Sequence, residues 1–272
     1  MNNKYSKQWK DSASIAFAIL AAAETFLAVS GISLDSIIPN QKWWGLLITV
    51  VAAYAVILVS VYVILKAISL KGINIKVNGI QITIKQGDLF EAKGWKVIPF
   101  NEHFDTTVDD IIISKTSLNG LFILNQVEDL NGLNKVIAED GEKYAIKTEV
   151  DERLTFSLGH CIAFQGEYIL LALTHFNEQN IAHVSKIDYE HCLMNMWKEV
   201  RRLYANKPVF LPLVGSGITS FDDVPQKSNF DLLKCMLCTL KASGENINQP
   251  ITILLKKNVM QEINLYEAKG AI

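Results

Sequence analysis

Two long apolar stretches stand near the start of the chain. Residues 12–34 contain one charged residue, Glu24, and residues 43–65 contain none. At a rise of about 1.5 Å per residue, each stretch is long enough to cross a hydrocarbon core of about 30 Å. Neither has the polar face of a helix at the surface of a soluble core. The pattern predicts transmembrane helices over about 12–34 and 43–66, with two buried core helices as the alternative.

The connection between these predicted helices is short. It runs from Asp35 to Lys42 and contains Pro39 and Asn40, which suits a tight turn between antiparallel helices. Lysines are more frequent before the first helix and after the second than in the turn. By the positive-inside rule, we expect both termini in the cytoplasm and the two helices as a hairpin in the inner membrane. A cleaved signal peptide is the competing interpretation of the first stretch.

Beyond residue 70 the pattern changes to short apolar or alternating runs separated by amphipathic helices. Apolar residues alternate on both sides of Asn78-Gly79, which predicts a β-hairpin with a two-residue turn. Further strands are predicted at 95–101, 167–177, 209–214 and 251–255, and helices at 188–206 and 228–243. This alternation indicates a layered α/β domain. The predicted domains are therefore a helical hairpin, 1–70, and an α/β domain, 71–272, in which 104–155 is interpreted as a partly helical insertion.

Composition excludes some classes of partner. Half of the residues are apolar, 20% are charged, and the net charge is −2. Lys198, Arg201 and Arg202 are interpreted as a solvated helix face, so no nucleic-acid partner is expected. Cys235 and Cys238 share a predicted helix, but no second pair of ligands accompanies them at a suitable spacing. We therefore predict buried thiols and no metal site.

Glu24 lies near the middle of the first predicted helix, where a charge is costly inside a membrane. Ser14, Ala18 and Ala22 repeat nearby at four-residue spacing, and small residues let helices approach closely. Glu24 is therefore a candidate membrane and oligomerisation residue, either between protomers or lining a pore. A polar contact inside one hairpin is the alternative.

A glycine loop, Gly215-Ser216-Gly217, follows the predicted strand 209–214. In α/β sheets, ligands bind beyond the carboxyl ends of strands, and successive backbone N–H groups in such loops can hold a phosphate. The loop lacks the lysine of a P-loop, the third glycine of a dinucleotide fingerprint and the spacing of a nucleophile elbow. It is a candidate diphosphate loop, with a plain turn as the alternative.

The stretches QGDLF, VIPFN and LPLVGSGITSF occur in this order along the chain. That order resembles the macro domain, the ADP-ribose-binding module, over roughly residues 80–272. The resemblance implies a divergent macro domain, a mixed sheet with helices on both faces, behind the N-terminal hairpin. It also implies that Asp88 faces adenine, that Asn101 lies near the distal ribose and that the loop from Gly215 to Phe221 wraps the diphosphate. The candidate ligand-binding residues are Asp88, Leu89, Asn101, Asp105, Thr174, His175, Gly215, Ser216, Gly217, Ile218, Thr219 and Phe221.

The chain departs from the macro-domain pattern at the end of VIPFN. Residues 101–105, Asn-Glu-His-Phe-Asp, replace the usual Asn-Ala-Ala-Asn, no glycine-rich loop follows, and no Gly-Gly dipeptide occurs in the chain. That loop positions substrate and water in hydrolytic macro domains. The resemblance therefore implies a binding module without catalytic residues, not an enzyme.

Two membrane helices joined to such a domain resemble a narrower family, as does the stretch LGHCIAFQGEYILLALTHFN over 158–177. This family, the Thoeris ThsA macro-domain family, consists of the membrane-anchored macro-domain effectors of type II Thoeris antiphage defence. The resemblance implies a partner TIR-domain enzyme that consumes NAD and makes histidine-conjugated ADP-ribose. The effector binds this ligand without a cofactor, oligomerises and disrupts the membrane, which causes abortive infection. A membrane-tethered ADP-ribosyl hydrolase and a protein-binding membrane scaffold remain alternatives.

Overall fold

The structure is a computed structural model and describes residues 6–32, 42–146, 153–177, 181–223 and 228–270. These residues form two compact units. The helical unit contains the two long N-terminal helices and the last short helix, whereas the α/β unit runs from Ile73 to Ile263. The predicted domain boundary followed residue 70, and the observed division follows Gly72. The segment that begins at Asn264 groups with the helical unit, which the sequence did not predict.

The helical unit is built around α1 (Ser6–Val29) and α2 (Trp43–Ser69). The two helices pack antiparallel, because the rings of Trp9 and Tyr62 stack with centroids 4.3 Å apart while the Tyr54 hydroxyl donates to the Ala13 carbonyl at 3.4 Å. Both helices are long and apolar enough to cross a membrane, and most of their residues are exposed rather than buried. This exposure argues against the alternative of two buried core helices.

The bounds of the first helix differ from the prediction. α1 begins at Ser6 rather than near residue 12, and it ends at Val29 rather than near residue 34. Gly31 has a φ of +70°, a left-handed conformation that favours glycine and that ends helices. The predicted turn between the helices falls, except for Lys42, outside the described residues.

The α/β unit contains the sheet and most of the shorter helices. Its strands are β1 (Ile73–Val77), β2 (Ile80–Gln86), β3 (Trp95–Asn101), β4 (Cys161–Phe164), β5 (Tyr168–Phe176), β6 (Ala182–Val184), β7 (Val209–Pro212), β8 (Ser220–Phe221) and β9 (Ile251–Leu255). Its helices are α3 (Leu118–Gln126), α4 (Leu130–Tyr144), α5 (Lys186–Leu203), α6 (Asn229–Ser243) and α7 (Lys257–Glu262). The last helix, α8 (Leu265–Ala268), belongs to the helical unit.

The sheet is mixed, as predicted. Its strand order is β1-β2-β9-β7-β3-β5-β6-β8, and β4 pairs with β5 beside this path. The central strands β2, β9, β7, β3 and β5 run parallel. β1 runs antiparallel to β2, and β4 and β6 run antiparallel to β5, whereas β8 runs parallel to β6. The carboxyl ends of five central strands therefore share one edge of the sheet.

Helices cover both faces of this sheet. Phe122 of α3 and Leu133 of α4 share one buried apolar cluster with Ile98 and Phe100 of β3. The residues of α5 and α6 that the structure describes take no part in that cluster, and these helices pack against β5 and β1 instead. They therefore lie on the opposite face, where Trp197 is fully buried. The predicted insertion over 104–155 supplies α3 and α4 to the first face.

The short helix α8 closes the N-terminal end of α1. Both carboxylate oxygens of Glu267 accept hydrogen bonds from α1, one from the backbone N–H of Lys7 at 3.0 Å and one from that of Gln8 at 2.8 Å. Asn264 donates to the side chain of Gln8 at 3.1 Å. The first N–H groups of a helix have no partner within it, and a negative charge at this end suits the helix dipole. Glu267 is therefore a cap supplied from the other end of the chain.

The face of α1 that packs inside the helical unit differs from the predicted stripe of small residues, which is exposed. Gln8, Ser12 and Ala16 are buried instead. Glu24 is also exposed, and it makes no hydrogen bond with any residue that the structure describes. Glu24 therefore does not hold this hairpin together, and its role in oligomerisation stays a prediction.

Candidate functional site

A cleft of about 230 Å³ opens at the edge where the parallel strands end. The ends of β3, β5, β7 and β9 contribute to its wall, together with the start of α3. This location follows from the topology, because the chain leaves every parallel strand at the same edge and the loops must gather there.

Seven predicted ligand-binding residues line the cleft, namely Asn101, Thr174 and the five residues from Gly215 to Thr219. They stand at the ends of three neighbouring strands, β3, β5 and β7. Residues that are more than a hundred positions apart in sequence thus meet in one wall. Their role in binding stays a prediction, and the structure supplies the shared surface that such a role requires.

The other five predicted residues lie outside the lining of the cleft. Leu89 is 5% exposed and belongs to the buried apolar cluster. Asp88 accepts a hydrogen bond from the backbone N–H of Phe90 at 2.9 Å and so stabilises its own turn. The ring of Phe221 meets that of Tyr189 edge-on, with centroids 5.3 Å apart. Asp105 and His175 are engaged by neighbouring side chains, as described below.

The side chain of Asn101 holds the loop that follows it. Its Nδ2 donates to Oδ2 of Asp105 at 2.7 Å, and its Oδ1 accepts from the backbone N–H groups of His103 and Asp105 at 3.1 and 3.2 Å. Asn101 is 4% exposed, so these bonds fix its orientation at the cleft wall. Asp105 therefore helps to hold Asn101 in position at the cleft wall.

The two glycines of the loop after β7 have different structural requirements. Gly215 has a φ of +78°, and a Cβ there would lie 3.2 Å from the ring of Tyr189. Tyr189 is itself fixed, because its hydroxyl donates to the Val214 carbonyl at 2.8 Å. A Cβ on Gly217 would meet no atom within 4 Å. The fold therefore explains Gly215, whereas the space above Gly217 is open to a ligand.

Sequence reasoning missed the part of the wall that precedes and begins α3. Ser114, Thr116, Ser117 and Asn119 all line the cleft. Ser117 is the N-cap of α3, since its Oγ accepts from the Gly120 N–H at 2.9 Å. A serine directly before an apolar run is a helix-start signal, and it could have located this element.

His175 and Glu102 form a pair beside the cleft. Thr174 and Phe176 line the cleft, and because side chains alternate along a strand, His175 points to the other side. Its Nδ1 lies 2.6 Å from Oε2 of Glu102, and this hydrogen bond raises the pKa of His175. Burial alone would raise the pKa of Glu102, but the bond and the charge of His175 bring it below its ordinary value.

Among the residues that the structure describes, candidate metal ligands and thiols form no second site. Within the described ranges, no group of three or more His, Cys, Asp or Glu side chains is arranged to hold a metal ion. Cys161 and Cys192 are buried, and Cys235 and Cys238 are partly buried. Burial raises the pKa of Cys235 to about 12, so its thiol stays protonated near neutral pH.

Comparison with known proteins finds a matching family model and a similar relative. The family model described as the macro domain of Thoeris protein ThsA matches residues 82–256. Thoeris protein ThsA of Bacillus amyloliquefaciens (strain Y2) is 33% identical over 285 residues, which cover 99% of this chain and 90% of that protein.

Two solved structures of the Oceanobacillus iheyensis macrodomain, one with ADP and one with MES bound, are also similar. Each has a TM-score of 0.46 and 14% identity and covers 73% of this chain, with 97% and 98% of the respective macrodomain chains matched.

Proposed function

The chain belongs to the Thoeris ThsA macro-domain family, and from this premise we propose that its cleft binds an ADP-ribose-derived signal in antiphage defence. The observation that carries the proposal is the open cleft at the carboxyl edge of the sheet, where Asn101, Thr174 and the loop from Gly215 to Thr219 meet inside the matched region. We propose histidine-conjugated ADP-ribose, made by a partner TIR-domain enzyme from NAD, as the ligand.

The lining of the cleft favours binding over turnover. Among the described residues that line it, none is Asp, Glu or His, the side chains that most often transfer protons in catalysis. The carboxylates closest in sequence to Asn101 are engaged, Glu102 by His175 and Asp105 by Asn101. This supports a sensor rather than the alternative of a membrane-tethered ADP-ribosyl hydrolase.

The two exposed apolar helices support an effector that acts on a membrane. α1 and α2 are long and apolar enough to span a membrane. We propose that they cross the inner membrane with both termini in the cytoplasm. Ligand binding then favours the assembled state by its difference in affinity for the two states, and the assembled hairpins disrupt the membrane. This sequence of events accounts for abortive infection.

The first test is calorimetry of the full chain in detergent with ADP-ribose and with its histidine conjugate. We expect selective binding of the conjugate without release of free ADP-ribose, which chromatography of the incubated mixture checks. Steady turnover of the conjugate would favour the hydrolase, and an absence of binding to either compound would refute the proposed sensor.

Gly217→Val is the sharpest variant for this test. The added side chain meets no protein atom within 4 Å of its Cβ, so the fold should be retained while the ligand is excluded. We expect affinity to fall at least about tenfold, equivalent to about 1.4 kcal/mol. Ser220→Val, at the exposed position on β8 that directly follows the lining of the cleft, is the matched control. Equal affinity of a folded Gly217→Val protein and the parent would contradict the role of the loop.

A further inference from the structure

The electrostatic character of the cleft is set by one residue. Within the described part of the chain, no Asp, Glu, His or Arg side chain lines the cleft, whereas Lys256 does. The whole protein carries a formal charge of −2, so this local positive charge runs against its overall balance. A cleft with a positive charge and no acid in its wall is suited to an anion.

The position of Lys256 is fixed by the fold. It directly follows β9, which pairs with β7 on one side and β2 on the other, and it forms the N-cap of α7. Its carbonyl accepts from the Met260 N–H at 2.9 Å, which anchors the backbone. The side chain reaches the cleft from a strand end next to that of β7, which carries the glycine loop.

The ammonium group of Lys256 is not neutralised by the residues that the structure describes. Lys96 and Lys115, by contrast, form ion pairs with Glu167 at 2.8 Å and Asp110 at 2.9 Å. No such pair involves Lys256 within those ranges, and its side chain is exposed. Its charge is therefore available to a bound group.

A second side chain in the same wall has an oxygen atom without a partner among the described residues. The Oδ1 atom of Asn119, in the first turn of α3, is buried and accepts no hydrogen bond from the described residues. Buried polar atoms are nearly always paired, and one that is not often marks a place for an ordered water or a ligand. Since Asn119 lines the cleft, a rotation of its amide would turn this buried oxygen toward a donor on a bound ligand.

We propose that Lys256 and Asn119 are further ligand-binding residues of the cleft. The Lys256 ammonium pairs with an anionic oxygen of the ligand, and Oδ1 of Asn119 accepts a hydrogen bond from a ligand N–H or O–H. The ligand class is thus a phosphate-bearing molecule with a hydrogen-bond donor a short distance from its charge, as in a nucleoside diphosphate sugar. This assignment rests on the proposed function and adds two specificity-determining contacts to it.

Lys256→Gln and Lys257→Gln form a matched pair, because both remove one charge from adjacent exposed positions and only Lys256 lines the cleft. Calorimetry of the full chain in detergent with ADP-ribose and with inorganic pyrophosphate is the measurement. For Lys256→Gln we expect binding about tenfold weaker and less sensitive to salt, as for the loss of a charged hydrogen bond. Lys256→Arg should retain most of the affinity. Equal affinities of the two glutamine variants would overturn the role of Lys256.

Asn119→Leu tests the other contact, since leucine has a similar size and no acceptor. We expect weaker binding of ADP-ribose without a loss of thermal stability, because the substitution removes a buried oxygen that has no partner in the protein. A lower melting temperature with unchanged affinity would show a structural role and overturn the assignment.

The measurements distinguish a failure of the assignment of Lys256 and Asn119 from a failure of the proposed function. If the parent binds ADP-ribose and neither Lys256→Gln nor Asn119→Leu changes its affinity, only the assignment of these residues is overturned. If the parent binds pyrophosphate through Lys256 but not ADP-ribose, the anion contact stands and the proposed nucleotide ligand fails. If the parent binds neither probe, both proposals are overturned.

Discussion

At the scale of single residues, the pair of His175 and Glu102 shows how the departure from the usual macro-domain sequence is accommodated. Glu102 stands where that sequence has a small apolar residue, and its carboxylate is 13% exposed. His175 holds one of its oxygens at 2.6 Å, and the Phe176 N–H donates to the other at 3.4 Å. A charged side chain in this place is tolerated because both of its oxygens are bonded.

This pair predicts a pH window for stability. The pKa of His175 is raised above its ordinary value of 6.5, so its contribution is complete below pH 6.5 and is lost as the pH rises through the raised pKa. The pKa of Glu102 is lowered from 4.5, so its contribution is complete above pH 4.5 and is lost as the pH falls through the lowered pKa. The pair therefore stabilises the folded state fully only between about pH 4.5 and 6.5.

Thermal unfolding of Glu102→Gln as a function of pH checks this window. We expect a loss of roughly 1 kcal/mol inside the window, after allowance for the partial exposure of His175, and a smaller loss at alkaline pH. Asp110→Asn is the control, because its pair with Lys115 at 2.9 Å is exposed on both sides and should change little. A loss of the same size at every pH would show that the charge pair is not its origin.

At the scale of elements, the sequence predicted what depends on local pattern. The hairpin of β1 and β2, the central strands and helices α5 and α6 all have clear periodicity or turn residues. β6 and β8 have three and two residues, too few to produce a pattern. α3 carries Gly120, which lies against the Ser114 carbonyl, and its sequence gives little polar face. These elements depend on tertiary contacts, and the missed half of the cleft wall lies there.

The cap of α1 by Glu267 is an element-scale prediction. Glutamine keeps the shape but loses one acceptor and the charge, so Glu267→Gln should destabilise the helical unit by about 1–2 kcal/mol. The measurement is thermal unfolding in detergent, followed by the loss of helical circular dichroism. Glu128→Gln, an exposed position between α3 and α4, is the control. If both variants unfold together with the parent, the cap is not stabilising.

At the scale of the whole molecule, the proposed function requires that ligand binding in the α/β unit changes the assembly of the apolar helices. A substitution of Glu24 can test assembly without disturbing the cleft, because Glu24 is exposed on α1 and makes no hydrogen bond with the described residues. Glu24→Leu should therefore leave the fold and the affinity for ligand unchanged. We expect it to abolish ligand-dependent assembly and toxicity, since a carboxyl group at membrane depth must find a partner in another protomer or in water.

Ala23→Leu places the same side chain at a neighbouring exposed position and controls for added bulk. Crosslinking in membranes with and without ligand, together with growth of producing cells, is the measurement. Unchanged assembly and toxicity in Glu24→Leu would exclude this residue from the switch. The sequence supplied the candidate, but only the structure distinguishes an exposed carboxylate from one used inside the hairpin.

The cap of α1 also sets an order of events during protein synthesis. Gln8 and Glu267 are 259 residues apart, so the ribosome releases the start of α1 long before the residue that caps it has been translated. The α/β unit emerges between them and can fold first, as domains do during translation. A truncated product that stops inside that unit therefore has both apolar helices but not the carboxylate that closes α1. The finished helical unit therefore exists only after Glu267 has been translated.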